Sequence, residues 1–222
     1  MATQTQAVLE PRKSPVQTRS VVTVDAILKA TIQVLLKVGK ERLTTTLVAA
    51  RAGVSVGTLY QYFPNKSALL KAVLRQHITM IAESIERVAE VQRGRPVDEV
   101  VTALVHAWLD AKMSDPKTSV ALYAVSSDVD GLTVVREMSM RGRRTIVAML
   151  ESASDQLAGD VEVVASVLGG ALAGVSRRLV ESTHSEGELE GLRAELVVMA
   201  RAYVRARAVR DWSFKQKERR NA

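Results

Sequence analysis

Residues 43–66 read LTTTLVAARAGVSVGTLYQYFPNK. Two short segments of helical period meet at a glycine. Thr44-Thr45-Thr46 places a threonine cap before Leu47, Val48, Ala49 and Ala52, and Gly53 is the stop that a helix end favours. Ser55 can cap a second segment running to Phe63, where Pro64 ends it. A short helix, a tight turn and a second helix make the spacing of a helix-turn-helix. Val48 and Ala49 face inward, Ala52 is small where the helices approach, and Val54 and Leu59 pack beneath the second helix. Val56, Gly57, Thr58, Tyr60, Gln61 and Tyr62 are left over.

Groove reading would explain them. A helix entering the major groove presents its N-terminal residues to base edges. Gly57 lets backbone approach DNA closely, and Val56 and Thr58 can touch thymine methyls. Gln61 can form a bidentate pair with adenine, and Tyr60 and Tyr62 can donate to phosphates. Thr45 and Thr46 begin the preceding helix, where amides and hydroxyls suit a phosphate, and Lys66 adds a charge in the next helix. Other roles stay open. Ser55 can be a cap alone, the tyrosines can be packing residues, and Lys66 can be a solvated charge.

The run resembles a TetR-family transcriptional regulator. The resemblance rests on Ile27-Leu28-x-Ala30, Gly39, Leu43-Thr44-Thr45, Val48-Ala49-x-x-Ala52-Gly53-Val54-Ser55, Gly57-Thr58-Leu59-Tyr60, Tyr62-Phe63, Pro64-Asn65-Lys66 and Leu69-Leu70. It covers roughly residues 20–72, about a quarter of the chain. It implies base-reading positions at Thr46, Val56, Gly57, Thr58 and Gln61, and phosphate contacts at Thr45, Ser55, Tyr60, Tyr62 and Lys66. Lys40 and Leu35 stand where the family often has aromatics, which alters packing more than DNA contact. Val56 replaces an often polar or basic residue, which leaves fewer polar base contacts there.

Composition agrees with a nucleic-acid partner. The net charge of +7 is uneven: residues 1–70 hold nine Lys/Arg against three Asp/Glu, residues 71–204 fifteen against nineteen, and residues 205–222 seven against two. A basic lobe on an otherwise acidic chain suits a polyanion, although a solubilising surface has the same signature. The chain has 222 residues, 47% of them apolar, enough for a sizeable core. With no cysteine, disulfides, thiolate metal sites and cysteine nucleophiles are excluded. Neither a membrane-length apolar run nor a signal-peptide core is found, so a cytoplasmic protein is expected. His77, His106 and His184 are far apart, and neither a His-x-x-x-His pair nor a phosphate-cradling glycine loop occurs. An enzyme is therefore not expected, nor any cofactor or metal.

Beyond residue 20 nearly the whole chain has helical period, and the reading is all-α with about nine helices. The expected domains are a flexible N-terminal arm (1–20), a helix-turn-helix DNA-binding domain (21–66), a helical effector-binding and dimerisation domain (67–212) and a basic C-terminal tail (213–222). Val24, Ile27, Leu28, Leu35 and Leu36 form the first apolar stripe, with Gly39 as its stop. Asn65 opens a long helix to about Glu90, Asp115-Pro116 restarts one after Met113, and others are expected at about 132–157 and 160–183. Ser185 with Glu188 matches a capping box before a last helix to about Arg210. In the arm, Arg12, Lys13 and Arg19 either reach a minor groove or take no part.

The resemblance implies a small-molecule effector and a four-helix homodimer interface. The helices near 160–183 and 186–210 suit that interface: Gly169-Gly170-Ala171 and Ala173-Gly174 permit close approach, and Leu189, Leu192, Leu196, Val197, Met199 and Tyr203 form an apolar face. Packing within one subunit is the alternative. Candidate effector contacts are His106, Trp108, Met113, Tyr123, Met138 and Met149, since aromatic and methionine side chains line adaptable cavities; each also suits an ordinary core. Met140-Arg141-Gly142-Arg143-Arg144 reads as a solvated face or as a partner for an anion. The expected function is a repressor released from a palindromic double-stranded operator by its effector. A helical adaptor using the same motif on a protein is the alternative, with a helical enzyme behind it.

Overall fold

The computed structural model describes residues 18–126, 131–181 and 186–208. Among them run nine α-helices: α1 (Thr18–Arg42), α2 (Thr45–Ala52), α3 (Val56–Tyr62), α4 (Lys66–Val91), α5 (Val97–Met113), α6 (Pro116–Ser126), α7 (Gly131–Glu151), α8 (Val161–Glu181) and α9 (Glu186–Arg207). The all-α expectation holds: the described residues contain no strand, only an isolated bridge between Leu157 and Ala208. Most of the expected arm, with Arg12 and Lys13, lies outside the described residues, as do Ser185 and the 213–222 tail.

The described residues form two compact units. One is drawn from Met1–Ala82 and Lys112–Met140, the other from Glu83–Ala111 and Arg141–Ala222. In the first, Ile27 and Leu35 of α1, Val48 of α2, Leu59 of α3 and Leu69 and Val73 of α4 share a core with Leu122, Val125 and Val134. This packing extends well beyond residue 66. Burying a side chain such as Leu59 contributes about 2 kcal/mol.

The expected stripe of α1 needs one correction, because Leu36 is 44% exposed. From Ile27 the inward row continues through Thr31 to Val34 and Leu35, and Leu36 falls past it. Thr31 is buried at no cost in unmet hydrogen bonding, since its hydroxyl donates to the Ile27 carbonyl at 2.7 Å. Gly39 ends the regular helical run, as expected. It interrupts α1 with a non-helical backbone (φ 76°, ψ 167°), and a final turn continues to Arg42.

His77 of α4 is buried in this unit, its Nε2 3.1 Å from the Ser119 hydroxyl. Burial holds its pKa below the ordinary histidine value; the Lys112 charge lowers it further and Asp115 opposes both.

In the second unit the buried apolar residues include Val101 and Leu104 of α5, Ile146 and Met149 of α7, Leu168 and Leu172 of α8, and Leu196 and Val204 of α9. The helix expected over 132–157 stops at Glu151. Its remainder is polar, and Asp155 instead accepts the Val97 amide at 2.7 Å, capping α5. Arg205 donates to Asp98 at 2.7 Å and Arg201 at 3.4 Å. Burial alone would raise the Asp98 pKa, but the two arginines outweigh it and hold the carboxyl below its usual range.

Candidate nucleic-acid interface

The turn between α2 and α3 is built locally. Thr44 accepts the Leu47 amide at 3.2 Å and so caps α2. Gly53 takes the left-handed conformation (φ 70°, ψ 28°), where a side chain would be strained. Its amide bonds the Ala50 carbonyl at 3.4 Å, and that of Val54 bonds Ala49 at 3.1 Å, closing α2. Ser55 accepts the Thr58 amide at 2.9 Å and caps α3. Leu59 and Phe63 are fully buried, with Val54 and Tyr62 packed partly against the same core. With these anchors set, the period of α3 dictates what faces outward.

That outward set comprises Val56, Gly57, Tyr60 and Gln61, joined from α2 by Thr46, Leu47, Ala50 and Arg51. The Gln61 side chain has no hydrogen-bond partner among the described residues, and neither has that of Thr46. Gly57 is exposed, and a Cβ added there would meet only the Ser55 hydroxyl at 3.7 Å. Packing therefore does not require a glycine at this place.

Several expected contacts turn out to have internal partners. Thr45 is buried, its hydroxyl 3.1 Å from that of Tyr60. The Ser55 and Thr58 hydroxyls lie 2.8 Å apart. Lys66 donates its ammonium to the carbonyls of Lys40 at 2.6 Å and Glu41 at 3.3 Å, tying the start of α4 to the end of α1. Sequence reading placed Leu47 with the apolar residues of its helix. It is 45% exposed and belongs to the outward face. Its position, one residue before the inward Val48, was the available signal.

The six candidate effector residues are split between the units. Met113, Tyr123 and Met138 fall in the first, and His106, Trp108 and Met149 in the second. Met138 packs against the core shared with α3, and Tyr123 is exposed. His106 is also exposed, with its Nδ1 3.3 Å from Arg193. Half-buried Trp108 donates its indole N–H to Ser176 at 3.3 Å. Buried Met149 contributes to a groove whose rim holds Glu86, Glu90, Arg93 and Arg144. The arginine run at 141–144 is only partly a solvated face: Arg141 grips Glu86 through two bonds of 2.7 Å, and Arg143 pairs with Glu162 at 3.3 Å. Among the described residues no group of three potential metal ligands comes together.

Two long helices leave apolar surface uncovered. On α8, Val163 and Val167 are about half exposed, and a Cβ added at Gly170 or Gly174 would meet nothing within 4 Å. On α9, Leu192, Val198 and Met199 are exposed, whereas Leu196 is buried and Leu189, Val197 and Tyr203 are half-buried. No helix of the described residues is long and apolar enough to cross a membrane.

Comparison with known proteins gives a consistent result. Residues 27–73 match the family described as bacterial regulatory proteins, tetR family, and residues 96–203 match a tetracyclin repressor-like, C-terminal domain. The HTH-type transcriptional repressor KstR of Rhodococcus jostii (strain RHA1) is 30% identical over 172 residues, covering 65% of this chain and 81% of that protein. KstR of Mycolicibacterium smegmatis is 43% identical over 63 residues, 28% of this chain, and the match spans only 31% of that protein's length. A crystal structure from Mesorhizobium loti, assigned to the TetR family, has a TM-score of 0.73. It covers 87% of this chain and 100% of that one at 18% identity, a likeness that speaks for the fold alone.

Proposed function

The chain belongs to the TetR family of bacterial regulatory proteins, and from that membership we propose a cytoplasmic, sequence-specific repressor that binds a palindromic operator as a homodimer and is released by a small-molecule effector. The observation that carries the proposal is the outward face of α3, where Gln61 and Gly57 have no role in holding the fold. Residues 21–66 are proposed to read DNA, with Thr46, Val56, Gly57 and Gln61 at the groove and Tyr60 and Tyr62 at its edge, the Tyr60 hydroxyl lying 3.1 Å from that of Thr45. Thr45, Ser55, Thr58 and Lys66 act mainly by holding that face, since their polar groups are engaged within the chain. Residues 67–212 are proposed to bind effector and partner. The uncovered faces of α8 and α9 suit a second copy, because two half-sites about one DNA turn apart need two reading heads. Trp108 and Met149 are the proposed effector contacts, being the two of the six that are at least half-buried in the second unit.

The effector acts by binding one arrangement of the dimer better than another, which shifts the population away from the operator-binding form. The test is a gel shift with DNA flanking the protein's own gene. Binding to a palindromic site is expected, with affinity falling steeply as salt rises. Equal binding to every duplex contradicts the proposal. The adaptor alternative is separated by Gln61→Ala, which would leave protein contacts made elsewhere on the motif intact while removing operator preference.

A further inference from the structure

We infer that α2 and α3 read A·T pairs, chiefly through thymine methyl groups and one adenine, and that they read no guanine in the major groove. The inference rests on the DNA-binding reading above and specifies the sequence class that surface accepts.

Guanine is recognised in the major groove through its O6 and N7 acceptors, most commonly by a bidentate arginine or lysine. Helix α3, VGTLYQY, has no charged residue. Helix α2 has one, Arg51, and its Nε donates to Gln33 of α1 at 2.6 Å. The next cation, Lys66, is spent on the carbonyls that end α1. Arg51 stays exposed, but its Nε is held by Gln33 of α1, so α3 itself brings no cation to the groove.

The groups that do face outward have a different chemistry. Leu47 and Val56 are 45% and 36% exposed. Aliphatic carbon left in water gains free energy only when something apolar covers it, and the thymine methyl is the apolar group of the major groove. Gln61 offers an amide with no internal partner among the described residues, the group that pairs with N6 and N7 of adenine. Gly57 lies on the same face of α3, one residue from Val56, and its missing side chain leaves the space through which bases can come close enough for such short-range contact.

The test starts by selecting binding sites for the full-length protein from a random duplex library. Each thymine of the recovered site is then replaced by deoxyuridine, which removes only the methyl, and affinity is measured by fluorescence anisotropy. The expected result is a run of A·T pairs in each half-site, with about a fourfold loss for deoxyuridine at one or more positions. Val56→Ala should erase that difference at one position, while Val56→Ile keeps it. Val56 is partly exposed, and an unchanged circular-dichroism melt will show that the alanine variant is folded. Half-sites with an invariant central guanine, whose 7-deaza analogue weakens binding, would overturn the inference but not the repressor reading. Indifference to every deoxyuridine would do the same. Recovery of no sequence at all would overturn both.

Discussion

Outward on α3 stand Val56, Gly57, Tyr60 and Gln61; outward on α8 stand Val163, Ser166, Val167, Gly170, Ala173 and Gly174. Neither set is what a helix shows to water, since both lack charge and both include glycine, which weakens an exposed helix by about 1 kcal/mol relative to alanine. The difference lies in hydrogen-bonding capacity. The α3 set carries an amide and a phenol, groups that distinguish one polar pattern from another. The α8 set is aliphatic carbon and bare backbone but for the small Ser166 hydroxyl, so shape and dryness are most of what it can select. A polar, patterned partner suits the first, and a second apolar helix suits the second. Outward residues that the fold does not need thus point to the partner's chemistry, and the two faces point to different partners.

A charge on the dry face should have the largest effect. Val167→Asp is expected to give a monomer by sedimentation and to lower operator affinity about a hundredfold, because the second half-site no longer binds as part of the same molecule. A variant that stays dimeric would remove α8 from the interface. Gly57→Ala tests the reading face with the opposite sign for fold and function. Since the added Cβ has room, thermal stability should rise by about 0.5–1 kcal/mol while operator binding weakens severalfold. Unchanged binding would mean that α3 does not approach bases closely.

The smallest effect concerns pH. Neither outward face contains a group that titrates near neutrality, but the first unit encloses His77, whose pKa is held below its ordinary value by burial and then by Lys112. The unfolded chain then takes up a proton that the folded chain refuses. Stability should be at its full value above about pH 6.5 and fall as pH drops below it. His77→Asn should flatten that slope in denaturation measured between about pH 7.5 and pH 5. A slope unchanged by the substitution would mean that other groups produce it.

The helix-turn-helix was legible because its determinants are local. Thr44, Gly53 and Ser55 act within three or four residues of themselves, and Leu59 and Phe63 follow from helical period. What escaped the sequence depends on distant packing. The ammonium of Lys66 ends on carbonyls 25 and 26 residues away, and the early end of α7 matters because Asp155 caps a helix beginning 58 residues before it. The effector candidates rest on residue type within one stretch of chain. Packing left His106 and Tyr123 at the surface, and composition alone could not separate them from buried Met149.

Sequence reading by the outward face of α3 is the property on which the regulator depends. It is tested most directly by measuring the affinity of wild type and Gln61→Ala for the selected operator and for a scrambled duplex across a series of salt concentrations. An unaltered fold, an unaltered slope with salt and about a tenfold loss confined to the operator are expected. Equal affinity of the two proteins for the operator, or an equal loss on both duplexes, would contradict it.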